Sequence, residues 1–168
     1  MKNRLQAAVF GSLLLAAACS GPDRTPRPDL VREGAPAPRL ELPKLLNAPA
    51  ARLAGIESLA GKVVVLEFWA TWCGPCVENI PRLNALAEKF KDRPVVFIAV
   101  TDESAEDVQA FMRTTSLKVW AAPGAGAEVF LAYRVFGRPH TVIIGRDSVV
   151  AAVTVPSEVT EERLNVLL

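Results

Sequence analysis

The sequence predicts an α/β domain with a central mixed β-sheet flanked by helices. Three observations carry this. Two unbroken apolar runs, Val63–Phe68 and Val95–Val100, have the length of strands covered on both faces. Stretches with apolar residues at helical spacing follow each of them, and strands that alternate with helices imply parallel neighbours. Further on, Thr141–Ile144 and Val149–Val155 flank a Gly145-Arg146-Asp147 turn, a hairpin that adds antiparallel strands.

The elements follow in order. Leu40–Leu46 alternates weakly and reads as an edge strand. Residues 47–60 are Ala-rich with Pro49 and Gly55, so they read as irregular, with a short strand or turn near Leu53. Gly61-Lys62 then opens the buried strand Val63–Phe68. The helix after Cys73 places Val77, Ile80, Leu83, Leu86 or Ala87, and Phe90 on one stripe. Pro81 lies inside it and predicts a kink near Val77, because proline removes one hydrogen bond and crowds the carbonyl four residues back. Lys89, Lys91 and Arg93 suit the negative end of the helix dipole. Pro94 introduces the strand Val95–Val100. Ser104 and Asp107 form a capping pair for a helix with Val108, Phe111, Met112 and Thr115 on one face. Leu117–Ala121 reads as a short strand, Pro123–Gly126 as a turn, and Glu128–Arg134 as a short helix. After the hairpin, Thr160 starts a last helix with Leu164, Leu167 and Leu168 inward.

The totals exclude several functions. A chain of 168 residues suggests one domain. Lys plus Arg is 19 against 18 for Asp plus Glu, so no basic field points to nucleic acid. Histidine occurs once, at His140, which excludes a site built on several His ligands. No metal site and no cofactor is implied.

The N-terminal residues read as an export leader. Lys2 and Arg4 precede an apolar run, Val9–Ala18, too short for a membrane-spanning helix of roughly 20 residues. It ends at Leu15-Ala16-Ala17-Ala18-Cys19-Ser20, which resembles a bacterial lipobox, with Ala16 where Leu is usual. That resemblance implies a signal peptide over 1–18 and a lipidated Cys19. Ala16-Ala17-Ala18 would also serve an ordinary signal peptidase, giving a soluble protein with a free Cys19. Residues 19–38, rich in proline and charge, read as a tether. The globular domain is then expected over 39–168, in the cell envelope, where disulfides persist.

That leaves one cysteine pair, Trp72-Cys73-Gly74-Pro75-Cys76, at a strand-to-helix junction. A helix N-terminus presents unpaired N–H groups and a positive dipole end, which favour a thiolate. The thiolate is the species that attacks disulfides. The motif therefore points to redox chemistry.

Phe68-Trp69-Ala70-Thr71-Trp72-Cys73-Gly74-Pro75-Cys76 resembles the active-site segment of the thioredoxin superfamily. The lead-in Gly61–Leu66, Pro81 and the extra helix and strand between Val100 and Tyr133 are similar to its TlpA/ResA-like branch. The resemblance spans about residues 34–168 and implies a thioredoxin-like fold with an inserted helix–strand unit. It implies an anchored envelope thiol–disulfide oxidoreductase, monomeric, acting on a disulfide-containing protein and fed by a membrane thiol donor. Cys73 is then the attacking thiol and Cys76 the resolving one. Pro139, before the strand Thr141–Ile144, stands where the family has a cis-proline facing the cysteines. It would expose the Arg138 backbone to a substrate chain, with Trp72, Gly74 and Pro75 forming the rest of the contact surface. Glu67 stands where thioredoxin has a buried acid, so its pKa should be raised and it could exchange a proton with Cys76. Asn79 departs from the branch, which has Glu there. Glu78 is one place early, about 100° around the helix, and cannot replace it. Trp69 reads as core packing. The side chains of Arg138 and His140 are not expected to be essential.

The Gly-Pro between the cysteines matches reducing relatives, and reducing and oxidising members differ widely, about −270 against −120 mV. Reduction is the favoured direction. Oxidation or isomerisation by the same fold is one alternative. Copper handling by Cys73, Cys76 and His140 is another.

Overall fold

The computed structural model describes residues 30–168. The expected signal peptide, Cys19 and the first part of the tether lie outside the described residues. Besides two short 3-10 turns at Ile56–Leu59 and Pro156–Glu158, five strands and four α-helices appear among the described residues. They run β1 (Val63–Phe68), α1 (Gly74–Lys89), β2 (Val95–Val100), α2 (Ala105–Met112) and β3 (Trp120–Ala122). They continue with α3 (Ala127–Ala132), β4 (His140–Ile144), β5 (Val150–Thr154) and α4 (Glu161–Val166). The sheet order is β3-β2-β1-β4-β5. β1 lies parallel to β2, and β2 to β3, while β4 and β5 run antiparallel. This is the expected mixed sheet, with α2 and β3 as the inserted unit.

Every residue of β1 is buried, as its unbroken apolar run requires of a central strand. Its side chains split between two cores. Val63 and Val65 face α1, α2 and α4 through Ile80, Leu83, Val108 and Leu164. Val64, Leu66 and Phe68 face α3 and the N-terminal segment through Val129, Tyr133, Leu40 and Leu42. Both capping residues hold as expected. Ser104 Oγ accepts from Asp107 N–H at 3.1 Å, and Thr160 Oγ1 from Arg163 N–H at 3.1 Å. Helix α1 runs through Pro81 as one element.

The structure corrects three local expectations. Leu40–Leu46 forms no strand. Leu42 and Leu46 make only single bridges, to Leu53 and Ala121, because Pro43 removes a donor from the run. Thr115 lies beyond α2, which ends at Met112. Residues 30–38 are not a spacer standing off the domain. Val31 is buried and donates its N–H to Ala132 O at 2.8 Å, Ala37 N–H donates to Ser148 O at 2.8 Å, and Tyr133 Oη donates to Pro38 O at 2.8 Å. An apolar residue every few positions gave this stretch surface to bury despite its prolines.

Candidate active site

The site forms where the carboxyl ends of β1 and β2 meet the amino end of β4. The chain leaves β1 at Phe68 and reaches Cys73, the N-cap of α1. Pro75 occupies the first turn of α1, where the missing N–H had no partner to lose. Val77 N–H closes the first helical bond onto Cys73 O at 3.0 Å. Cys73 and Cys76 are joined by a disulfide, with their Cα atoms 5.2 Å apart.

Both cysteines are only 4% exposed and belong to the core cluster on the α1 face of the sheet. Trp72, at 70% exposure, takes the outer position, and Gly74 and Pro75 are exposed beside it.

The Arg138–Pro139 peptide is cis. β4 begins one residue later, with His140 paired to Phe68, so Arg138 and Pro139 share the sheet end that carries Trp72 and Cys73. The Arg138 side chain is largely withdrawn from solvent. It is 13% exposed, and its Nη2 donates to Asp102 Oδ1 at 2.7 Å. Its guanidinium lies over the Phe130 ring at 4.8 Å and the Trp72 ring at 5.4 Å. These groups line a groove of about 380 Å³, together with Val135 and Phe136. Phe136 is 87% exposed.

Glu67 lies on the α1 face of β1, 3% exposed. Burial pushes its carboxyl up to about 7, against the lowering effects of the Thr141 hydrogen bond and the Arg82 charge. Thr141, its neighbour across the β1–β4 ladder, donates Oγ1 to Glu67 Oε2 at 2.7 Å. Glu67 Oε1 has no protein partner. Glu78 is exposed and Asn79 half-buried, so the two do not exchange places on the helix. Trp69 packs in the core against Phe111 at 5.3 Å. His140 stacks near Phe68 at 5.8 Å, and burial lowers its pKa. Among the described residues no group of three His, Cys, Asp or Glu side chains is placed to hold a metal ion.

Asp102, Phe130 and Phe136 line the groove without having been singled out from the sequence. Position was the one available signal. Residues just past the carboxyl end of a strand parallel to β1 must reach the same edge of the sheet as the cysteines.

The chain is similar to known proteins. A family model described as AhpC/TSA family matches residues 34–153. Thiol-disulfide oxidoreductase ResA of Bacillus thuringiensis subsp. konkukian is 34% identical over 110 residues, 65% of this chain and 63% of that protein. This chain therefore spans less than two thirds of the ResA relatives it matches. Thioredoxin-like protein YneN of Bacillus subtilis is 30% identical over 139 residues, 79% of this chain and 76% of that one. A Chlorobium tepidum structure assigned as thiol:disulfide interchange protein DsbE superposes with a TM-score of 0.71 at 26% identity, covering 82% of this chain and 98% of that one. The strand order, the dithiol at the start of α1 and a match over most of the described residues agree: the chain belongs to the AhpC/TSA family and has a thioredoxin-like fold.

Proposed function

We propose that this chain is a thiol–disulfide oxidoreductase of the cell envelope that reduces disulfides in a protein substrate. The observation that carries this is the Cys73–Cys76 disulfide at the N-terminus of α1, beside a groove walled by Trp72 and Arg138. In the reduced protein, the Cys73 thiolate attacks one sulfur of a substrate disulfide. The other substrate sulfur leaves as a thiolate and takes a proton. Cys76 then loses its proton to Glu67, whose carboxyl near neutrality makes it a fit acceptor once ionised. The Cys76 thiolate attacks Cys73 Sγ, the second substrate sulfur leaves, and the enzyme is oxidised by two electrons. A membrane thiol donor restores the dithiol. The Arg138 backbone pairs with the substrate chain, and Trp72, Gly74 and Pro75 form the contact surface.

The reducing direction is supported by the Gly-Pro between the cysteines. The envelope location is supported by the leader and by Cys19 as a lipid anchor, with residues 19–29 as what remains of the tether. No helix among the described residues is long and apolar enough to cross a membrane.

The Cys76→Ser variant tests the mechanism. It should accumulate a mixed disulfide on Cys73 with an envelope protein, stable to gel electrophoresis without reductant. Absence of any Cys73 adduct would sink the reading. A redox equilibrium with glutathione that places the pair at the oxidising end would replace reduction by oxidation or isomerisation.

A further inference from the structure

The turn after β2 reaches both walls of the groove. Glu103 Oε2 accepts the Thr71 backbone N–H at 2.7 Å, and Oε1 accepts the Thr71 hydroxyl at 2.5 Å. The Thr101 hydroxyl, fully buried, donates to Glu103 Oε2 at 3.1 Å and accepts the Glu103 N–H at 3.2 Å. The adjacent Asp102 holds Arg138 on the other wall. The turn is itself fixed from the chain leaving β3. Gly124 N–H donates to Glu103 O at 2.8 Å and Ala125 N–H to Thr101 O at 3.0 Å.

Thr71 precedes Trp72 and Cys73, and Cys73 N–H folds back onto Ala70 O at 3.1 Å. Moving Thr71 therefore moves the attacking sulfur and the aromatic wall together. Bonds from a backbone N–H and two hydroxyls to one carboxylate are charge-assisted, stronger than neutral pairs. The exchange chemistry makes no use of the Glu103 carboxylate as acid, base or nucleophile, so its role there is mechanical.

We propose that Asp102 and Glu103 are positioning residues that set the spacing of the two walls. Glu103 sets the Trp72–Cys73 wall and Asp102 sets Arg138, from consecutive positions in one anchored turn. Disulfide exchange needs the incoming sulfur held close to and in line with Cys73, and small placement errors are costly. A peptide disulfide must touch both walls to achieve this. A small disulfide needs only an accessible Cys73 sulfur.

The test compares single-turnover oxidation of the reduced protein by a short peptide disulfide and by dithiodipyridine. Glu103→Gln can keep its partners, because the Thr71 hydroxyl can accept from the amide NH₂, but it removes the carboxylate charge, so the bonds from Thr71 lose their charge assistance. Its rate with the peptide should fall about tenfold, and its rate with dithiodipyridine should stay within about twofold. Thr71→Val keeps the backbone arm and should lose about threefold on the peptide alone. The double variant should be no slower than Glu103→Gln, because both changes cut the same link. Should Glu103→Gln fail to fold, Thr71→Val carries the same test.

An unchanged peptide rate, or both rates falling together, would overturn the positioning role. The inference rests on the exchange chemistry proposed above. A wild-type protein inert to the peptide disulfide sinks that chemistry and this role with it. A reactive wild type with an equally reactive Glu103→Gln sinks the positioning role alone.

Discussion

Glu67, in the floor of the site, and Arg138, in its rim, are both charged side chains withdrawn from water, and the fold provides for them differently. Glu67 has a single hydroxyl partner and one oxygen with none. Arg138 also has one unpartnered nitrogen, Nε, but it has an ion pair with Asp102 and lies over two aromatic rings. The difference follows from their chemistry. A carboxyl can shed its charge by taking a proton, and burial drives it to do so. A guanidinium cannot be deprotonated, so its charge must be compensated in place. The floor is thereby a group able to move a proton near neutral pH, and the rim is a fixed cation that shapes a wall.

The largest expected effect comes from removing the floor charge. Glu67 is raised in the folded state from 4.5 to about 7, so the folded protein holds a proton that the unfolded chain has released. Stability is then full below the unfolded value and falls as pH rises through that window. The loss is about 3 kcal/mol at about 1.4 kcal/mol per tenfold, an order-of-magnitude figure. Glu67→Gln keeps an acceptor for Thr141 and has no proton to lose. Urea unfolding of the oxidised forms should show the variant more stable than wild type at alkaline pH and equal to it in acid. Parallel pH profiles would mean that the Glu67 carboxyl titrates alike in the folded and the unfolded chain. The same variant should slow the step in which Cys76 resolves the mixed disulfide.

Arg138→Met tests the rim. It removes the ion pair and both ring contacts while keeping an apolar stem. Asp102 is half in solvent, so its unpaired charge is largely rehydrated and the pair itself is discounted. We expect a loss of about 1–2 kcal/mol, the same at neutral and alkaline pH. A loss that grows with pH would erase the contrast with Glu67. The smallest effect on stability belongs to Phe136→Ser, within about 0.5 kcal/mol because the ring is already in water. Its KM for a peptide disulfide should nevertheless rise about threefold, since the ring is apolar surface for a substrate to cover. An unchanged KM would place the substrate elsewhere.

What could be read from the sequence depended on how local the cause was. The β1 and β2 runs announced themselves because a strand covered on both faces needs every side chain apolar. The caps at Ser104 and Thr160 involve residues three apart. The CxxC spacing was legible within a short segment, whereas the buried Glu67 and the cis Arg138–Pro139 bond were expected from the family resemblance. Leu40–Leu46 failed because its buried leucines are set by the sheet they lie on, not by a ladder of their own. The surroundings of Arg138 were not legible because two of its partners, Asp102 and Trp72, are remote in sequence. Glu103 was invisible for the same reason. Its contact with Thr71 exists only because β1 and β2 are adjacent and parallel.

The N-terminal segment has one more consequence. A five-stranded open sheet has two free margins, and unpaired strand margins invite other chains to add on and aggregate. Here one run of chain guards both. Leu46 exchanges two backbone bonds with Ala121 beside β3, at 2.8 and 3.0 Å. Beside β5, Gly34 N–H bonds to Val150 O and Val150 N–H to Ala35 O, at 2.8 and 2.9 Å, and the Glu33 carboxylate takes the Val153 N–H at 2.8 Å. Residues 33–35, which looked like mere leash, thus act with Leu46 as selvedge, finishing the fabric of the sheet so that it does not ravel into its neighbours.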